Sequence, residues 1–189
     1  MNTVVTSEDE ILKASRQLIQ QQGWSAVNIR SVAAACGVSV GSIYNYFDSK
    51  AALVGATVES VWREIFQHPA DGSVFQDTQA CIMWMYERME YGCLRYPGFF
   101  TLHSLGFMQE DKPDGKQRMQ QTWQHILDGF YSVLKQDTRI RPDAFTEQFT
   151  VEKFASVLFS LMLSALLRQD YDPGAVLEIV RRILYEKPT

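Results

Sequence analysis

The 189-residue sequence predicts an all-α fold of about nine helices, and two observations support this prediction. Apolar residues recur at the three- and four-residue spacing of amphipathic helices, and no strand-like alternation bounded by turns stands out. The 11 glycines and 6 prolines are spaced far apart, which favours long helices between them. Because 46% of the residues are hydrophobic and 12% are aromatic, the chain can bury a sizeable globular core.

The N-terminal part of the chain predicts a three-helix unit. A capping box at Ser7–Glu10 opens the first helix, which should end at Gly23. Asn28 would cap the second helix, Ile29–Cys36. Gly37 would end that helix in the left-handed conformation, which costs glycine little.

A third predicted helix, Val40–Phe47, follows directly after this glycine-containing turn, with Ser39 as its cap. It should bury Ile43 and Phe47, while its other side chains, among them two tyrosines and an asparagine, face solvent. Two helices around a tight turn form the helix-turn-helix arrangement, which presents its second helix to the major groove of DNA. From spacing alone, a plain helical hairpin in an all-α domain is the alternative interpretation.

This helix-turn-helix stretch resembles a known family. The run VNIRSVAAACGVSVGSIYNYFDSKAAL, residues 27–53, is similar to the DNA-binding signature of the TetR family of transcriptional repressors. The shared features are a capped second helix, an AxxxGVS turn, a G-[ST]-[LI]-Y-x-[YH]-F recognition helix and an S-K-x-x-L start to the next helix. The rest of the chain agrees with the family only in length and helical character. The resemblance implies a DNA-binding unit followed by a helical effector-binding domain.

Ten residues in and around this stretch are candidate DNA contacts. Tyrosine hydroxyls on long, stiff side chains suit phosphate oxygens, and Asn45 can form two hydrogen bonds with a base edge, usually that of adenine. Polar groups at helix starts and the charges of Arg30 and Lys50 would hold the DNA backbone, although a solvated surface role is the alternative for each. The resemblance implies DNA contacts at Gly41, Ser42, Tyr44, Tyr46 and Lys50. The complete predicted set is Asn28, Arg30, Ser39, Val40, Gly41, Ser42, Tyr44, Asn45, Tyr46 and Lys50.

Two features of the sequence depart from a strongly basic DNA-binding surface. Val40 stands where many members of the family have a lysine or another polar residue, so it could contact a thymine methyl group or simply weaken binding. The net charge of the chain is −4, and residues 1–50 contain four basic and four acidic residues. We therefore expect few phosphate contacts and a shallow dependence of DNA affinity on salt concentration.

The sequence predicts a DNA-binding domain at residues 1–48 and an effector-binding and dimerisation domain at residues 49–189. Ser49 would cap the fourth helix, which should run to about Phe66 and connect the small domain to the rest. A second capping box, Ser73–Gln76, should open the fifth helix. The helices in the middle of the chain are expected at residues 73–96, 99–108 and 116–136.

The predicted fifth to seventh helices are unusually rich in methionine and aromatic residues. Such stripes are more often core than pocket, but their number exceeds what one packed seam needs. The resemblance implies an effector cavity in this region, and we expect an apolar ligand that is aromatic or cationic and lipophilic. For one member, His103, an ordinary core histidine is the favoured single interpretation. The candidate wall residues are Trp62, Phe66, Trp84, Tyr86, Met89, Phe100, His103, Phe107 and Trp123.

Two C-terminal segments predict a homodimer. Ala155–Leu167 is apolar on all sides, yet its 13 residues are too few to cross a bilayer, which needs about 20. Pro173–Tyr185 carries a narrow, heptad-like apolar seam. Together with the same segments of a second chain, these eighth and ninth predicted helices would form a four-helix bundle with twofold symmetry. The alternative is a buried central helix in a monomer.

The sequence does not support an enzyme. It has no glycine-rich phosphate loop, no HExxH, no CxxC pair and no local cluster of histidines, so we expect no catalysis, cofactor or metal site. Three cysteines in helical patterns and an N-terminus unlike a signal peptide predict reduced thiols and a cytoplasmic location. The sequence best fits a dimeric repressor that a small apolar or aromatic effector releases from a palindromic DNA operator. The alternative is an all-α small-molecule-binding or protein-adaptor module without DNA activity.

Overall fold

The computed structural model describes residues 6–67, 72–100 and 113–186, and the regular structure within these ranges is entirely helical. The all-α prediction is confirmed, with eight α-helices in the described ranges. The predicted sixth helix, residues 99–108, lies outside the described residues except for its first two positions. No helix in the described part of the chain is long and apolar enough to cross a membrane. The helices are α1 (Glu8–Gln22), α2 (Ile29–Cys36), α3 (Val40–Tyr44), α4 (Lys50–Ile65), α5 (Thr78–Arg95), α6 (Pro113–Gln136), α7 (Val151–Arg168) and α8 (Gly174–Leu184).

The chain divides into two compact units. The first unit draws on Met1–Ile65 and Gly92–Thr122, and the second draws on Phe66–Tyr91 and Trp123–Thr189. The first unit therefore contains α1–α4 and the end of α5, while the second contains most of α5 and all of α7 and α8. The boundary at residue 48 between a DNA-binding and an effector-binding domain is a functional division and stays a prediction.

The first unit begins with α1, whose two ends match the sequence prediction. The Glu10 N–H donates to Ser7 Oγ at 3.2 Å, and the Ser7 N–H donates to Glu10 Oε2 at 3.0 Å, which completes the capping box. Gly23 adopts a φ of +81°, and its N–H closes the helix on the Ile19 carbonyl at 2.8 Å. The buried face of α1 consists of Ile11, Leu12, Ala14, Ser15, Leu18 and Ile19.

Aromatic side chains surround the end of α4 in the first unit. The Trp62 ring meets the rings of Phe99 and Phe100 edge to face, at centroid distances of 6.0 and 5.5 Å. Gly92 permits close packing beside them, because a Cβ at that position would lie 2.6 Å from Ile65 Cδ1. The C-terminal turns of α4 are therefore fixed in a dense part of this unit's core.

In the second unit, α5 begins at Thr78, so the predicted helix start at Ser73–Gln76 is wrong. Those four residues form a 3₁₀ turn instead. Asp77 caps α5, because its Oδ1 accepts hydrogen bonds from the N–H groups of Gln79 and Ala80 at 2.9 and 3.1 Å. The negative charge of this carboxylate also interacts favourably with the positive N-terminal end of the helix dipole.

A buried carboxylate joins three helices of the second unit. Asp137 lies directly after α6 and accepts hydrogen bonds from the Thr78 N–H at 3.0 Å and from the Tyr185 hydroxyl at 2.7 Å. Arg139 Nη2 lies 2.8 Å from the same carboxylate, whose side chain is only 1% exposed. Burial alone would raise the pKa of Asp137, but the hydrogen bonds from Arg139, Thr78 and Tyr185 together hold it well below its ordinary value.

The two C-terminal helices each have a buried face and an exposed face. On α7, Phe154 and Leu158 are buried, whereas Val157 and Leu167 are 45% and 58% exposed. On α8, the buried residues Val176, Val180 and Leu184 contrast with Ile179, which is 42% exposed. Within the described part of the chain, the apolar α7 is thus covered on one side.

Candidate DNA-binding surface and effector cavity

The turn between α2 and α3 is held by local hydrogen bonds. Asn28 Oδ1 accepts from two amide groups of the first turn of α2, at 3.1 and 3.0 Å. Gly37 adopts φ +67° and ψ 27°, and the following Val38 N–H donates to the Ala33 carbonyl at 3.0 Å. The predicted bounds of α2, its cap and its glycine terminator are all confirmed.

The helix after the turn, α3, is shorter than predicted. Ser39 Oγ accepts from the Ser42 N–H at 3.1 Å and caps the helix, and Ile43 is fully buried beneath it. The predicted end at Phe47 is wrong, because the N–H groups of Tyr46 and Phe47 both donate to the Ile43 carbonyl at 3.0 Å. Because these two N–H groups share one carbonyl, the chain turns three residues before the predicted end of the helix. Phe47 is nevertheless buried, as predicted.

The ten predicted DNA contacts occupy consecutive elements of the first unit, from the cap of α2 to the first residue of α4. Val40, Tyr44 and Tyr46 are among the large apolar or aromatic side chains most exposed in this unit, at 40%, 47% and 44%. Asn28 and Ser42 are half-buried. The exposed members of the set are Arg30, Ser39, Val40, Gly41, Tyr44, Asn45, Tyr46 and Lys50.

Several of these residues also shape the surface. The oxygens of Asn28 and Ser39 serve as helix caps, and Ser42 Oγ lies 2.9 Å from Ser39 Oγ. The Tyr46 hydroxyl donates a hydrogen bond to the Thr6 carbonyl at 2.5 Å. This tyrosine therefore connects the segment before α1 to the turn that follows α3. The sequence did not reveal this contact, because it joins positions 40 residues apart.

The second unit contains a cavity of about 310 Å³. Aromatic rings form much of its wall, with Trp84 edge to face against Phe66 at 6.1 Å and against Phe75 at 5.4 Å. Asp128 brings one carboxylate to the lining, where it accepts from Gln124 Nε2 at 2.9 Å. The lining residues are Phe66, Phe75, Cys81, Trp84, Met85, His125, Ile126, Asp128, Gly129 and Phe130.

The cysteine in this wall behaves as an apolar group. Burial, with a smaller contribution from the charge of Asp77, raises the pKa of the Cys81 thiol to about 12. The thiol is therefore protonated at neutral pH and is a poor nucleophile. Its contribution to the cavity is its shape and polarisability.

Two of the nine predicted wall residues, Phe66 and Trp84, line this cavity. Trp62 and Phe100 lie instead in the aromatic core of the first unit, where each is at most 5% exposed. The periodicity of α4 predicted that Trp62 is buried, but it did not distinguish burial in a core from a place in a cavity wall.

The other predicted wall residues have different surroundings. Tyr86 and Met89 are buried in the second unit, at 5% and 0% exposure. Trp123 packs edge to face against Phe159, with a centroid distance of 5.6 Å. His103 and Phe107 lie outside the described residues. A role for any of these residues in ligand binding stays a prediction.

Residues 11–57 match the family described as bacterial regulatory proteins, tetR family. The matched range begins within α1, contains α2, the glycine turn and α3, and ends within α4. This stretch therefore resembles the N-terminal, helix-turn-helix part of TetR-family proteins. Within residues 11–57 the chain has a helix-turn-helix unit of the kind found in bacterial regulatory proteins.

The curated relatives match only part of this chain. The HTH-type transcriptional regulator UidR of Escherichia coli K12 is 30% identical over 70 residues. That alignment covers 35% of this chain and 36% of UidR, so the chain spans about a third of the length of this relative.

Solved structures share the fold over nearly the whole chain. A transcriptional regulator from Rhodococcus sp. RHA1 has a TM-score of 0.67 at 14% identity, with 97% of this chain and 100% of that chain covered. The multidrug binding protein EbrR, complexed with imidazole, has a TM-score of 0.64 at 18% identity, with 96% of each chain covered. At these identities the likeness concerns the fold.

Most cavity residues were not among the predicted wall residues, although several of them share a helix face with a predicted one. Cys81 and Met85 lie one turn apart on the face of α5 that carries Trp84. Ile126 and Phe130 are likewise four residues apart on α6. A helical-wheel comparison of these two helices would have found both faces, but not that a cavity lies between their side chains.

Proposed function

We propose that this chain is a dimeric repressor that leaves a near-palindromic operator when a small apolar or aromatic effector enters the cavity of the second unit. The observation that carries the proposal is the exposed face of α3, which the Ser39 cap and the buried Ile43 hold in place. Tyr44 at the end of α3 and Asn45 directly after it offer groups suited to phosphate oxygens and base edges. A capped, rigid helix can present them in the major groove with little loss of conformational entropy.

The exposed apolar residues of α7 and α8 support the dimer. Val157, Leu167 and Ile179 are each more than 40% exposed, and a second copy of the chain would cover them. A twofold dimer uses the same surface on both chains. Its two α3 helices would enter major grooves about 34–36 Å apart, or a multiple of this, so the operator should be nearly palindromic. Such a dimer would act on DNA in the cytoplasm.

The cavity supports an aromatic effector. Its volume of about 310 Å³ is at the lower end of typical ligand sites, and the Phe66, Phe75 and Trp84 rings offer flat faces. Asp128 in the lining would favour a cationic, lipophilic ligand over an anionic one. The name of EbrR, a multidrug binding protein, supports this class by analogy.

The chain also offers a route from the effector to DNA. Phe66 lines the cavity and directly follows Ile65, the last residue of α4. A ligand that displaces Phe66 would shift α4, which begins at the predicted DNA contact Lys50. The ligand releases DNA only if it binds the DNA-incompetent conformation more tightly than the DNA-bound one.

The first experiment selects DNA from a random pool with the purified chain and reads the result by sequencing. An enriched near-palindrome is expected. Tyr44→Ala and Lys50→Ala should then weaken binding to it at least tenfold, while Lys135→Ala, an exposed lysine on α6, should not. All three variants should remain dimers by light scattering and should bind tetraphenylphosphonium as the unchanged chain does.

Each part of the proposal has its own contrary outcome. A flat pool would overturn the regulator function and favour a small-molecule-binding module. A monomer at micromolar concentration would overturn the dimer. Tetraphenylphosphonium and naphthalene serve as cationic and neutral probes, and binding of either without loss of DNA affinity would overturn the effector mechanism.

A further inference from the structure

The first residue of α3, Val40, is an aliphatic side chain in a surface otherwise composed of hydroxyl, amide and charged groups. It is 40% exposed, and Tyr44 lies one turn further on the same side of the helix at 47% exposure. Ile43 and Phe47 already fill the buried side of this segment. Val40 is therefore not needed for the core beneath α3.

We propose that Val40 recognises the C5-methyl group of one thymine in each operator half-site and so determines the base at that position. The inference rests on the proposed function, since it requires α3 to enter the major groove. It goes beyond that function because it assigns a base, a chemical group and the residue that reads it.

The chemistry of the major groove supports this choice of partner. An isopropyl group can neither donate nor accept a hydrogen bond, so covering a phosphate or a polar base edge with Val40 would leave that polar group without a partner. The thymine methyl is the only methyl group, and the largest apolar group, that the four bases present on their major-groove edges. Contact between it and Val40 removes apolar surface of both partners from water.

The local geometry fixes the backbone of Val40 in a position suited to such a contact. Its neighbour Ser39 caps the helix, and the Ser42 N–H donates to Ser39 Oγ at 3.1 Å, so the first turn of α3 is fixed. The next residue, Gly41, is also open to a base pair. A Cβ built there would meet only Ser39 Oγ within 4 Å, at 3.6 Å. A base pair can thus approach the backbone beside Val40 closely.

The expected loss of DNA affinity is small when the contact is removed from one half-site and larger when it is removed from both. Loss of one buried methyl contact should weaken binding about fourfold. A symmetric dimer reads both half-sites, so the loss at both should weaken binding about fifteenfold. Effects of this size are well within the range of a competition titration.

The test replaces thymines in the selected operator with deoxyuridine, one symmetric pair at a time. Uracil lacks the methyl group but keeps the hydrogen-bonding edge of thymine. For the unchanged chain, one pair of positions should show the fifteenfold loss. For Val40→Ala, the same pair should show a clearly smaller loss, because alanine keeps only one methyl group and covers less of the thymine methyl.

The matched control is Tyr44→Phe, which removes a hydroxyl from the same face of α3. It should weaken binding to the thymine and uracil operators by the same factor, because it does not touch the methyl contact. The inference is overturned if no thymine pair responds to uracil, or if Val40→Ala loses as much affinity on the uracil operator as the unchanged chain does. A pool without any enriched sequence is a separate outcome, which overturns the proposed function together with this inference.

Discussion

Arg16 of α1 forms an ion pair with Glu64 of α4, with Nε and Oε2 2.7 Å apart. The same guanidinium hydrogen-bonds Ser60 Oγ, one turn earlier on α4. The side chains of Arg16 and Glu64 are only 22% and 31% exposed, so water screens this pair less than a surface pair. The pair thus joins α1, which packs beside the helix-turn-helix, directly to α4, and we expect a displacement of α4 to be passed to α1 through it.

Arg16→Ala should lower the free energy of unfolding by about 1–2 kcal/mol, because it leaves Glu64 and Ser60 without this partner. It should also reduce the factor by which an effector weakens DNA binding, because α1 would follow α4 less closely. Urea denaturation and DNA titrations with and without tetraphenylphosphonium measure the two effects.

The control for Arg16 is Arg63→Ala. Arg63 pairs with Glu59 within α4 itself, and its side chain is 73% exposed. Its loss should cost less than about 0.5 kcal/mol and leave the effector response unchanged. Equal behaviour of the two variants would show that the link between α1 and α4 has no special role.

The two tyrosines of the DNA-binding surface should respond differently to loss of the hydroxyl. Tyr46→Phe removes the hydrogen bond to the Thr6 carbonyl and should destabilise the fold by about 1 kcal/mol. Tyr44→Phe should leave the melting temperature unchanged and weaken DNA binding several-fold, because its hydroxyl is expected to contact a phosphate. Thermal melts and fluorescence anisotropy with the selected operator compare them, and the reverse order of effects would contradict the assignment.

The DNA-binding unit could be predicted from the sequence because its signals are local. The Asn28 cap, the Gly37 terminator and the buried Ile43 each act within a few residues, and the structure has them where the sequence indicated. The predicted end of α3 was wrong because one carbonyl accepts two hydrogen bonds there. That arrangement depends on the turn that follows. The cavity was predicted poorly. The positions of Trp62 and Trp84 in the sequence do not indicate which of the two compact units each side chain packs in.

Salt dependence should reflect the small number of cations on the DNA-binding surface. Of the four basic residues in positions 1–50, Arg16 is held by Glu64, so few positive charges are placed for phosphate contact. For a dimer, the slope of log affinity against log salt concentration should be no steeper than about −5. Lys50→Gln should reduce that slope by about 2, one contact for each subunit. A slope near −10 that is insensitive to Lys50 would contradict this account.

Acid stability should depend on Asp137. Its pKa is held well below its ordinary value of 3.8, so its stabilising contribution is fully present above about pH 4. The contribution is lost as the pH falls from there towards the lowered pKa, because the unfolded chain takes up the proton first. Urea denaturation between pH 2 and pH 7 should therefore show a steep loss of stability below pH 4.

Asp137→Asn should remove this acid dependence and lower the stability at neutral pH by about 3 kcal/mol. The neutral amide loses its charge-assisted bond to Arg139, and its NH₂ group cannot accept from the Thr78 N–H. Asp143→Asn is the control, because Asp143 pairs with Arg141 at the surface and its side chain is 71% exposed. It should change stability by less than about 0.5 kcal/mol. If both variants behave alike, the buried carboxylate does not hold the ends of α6 and α8 together.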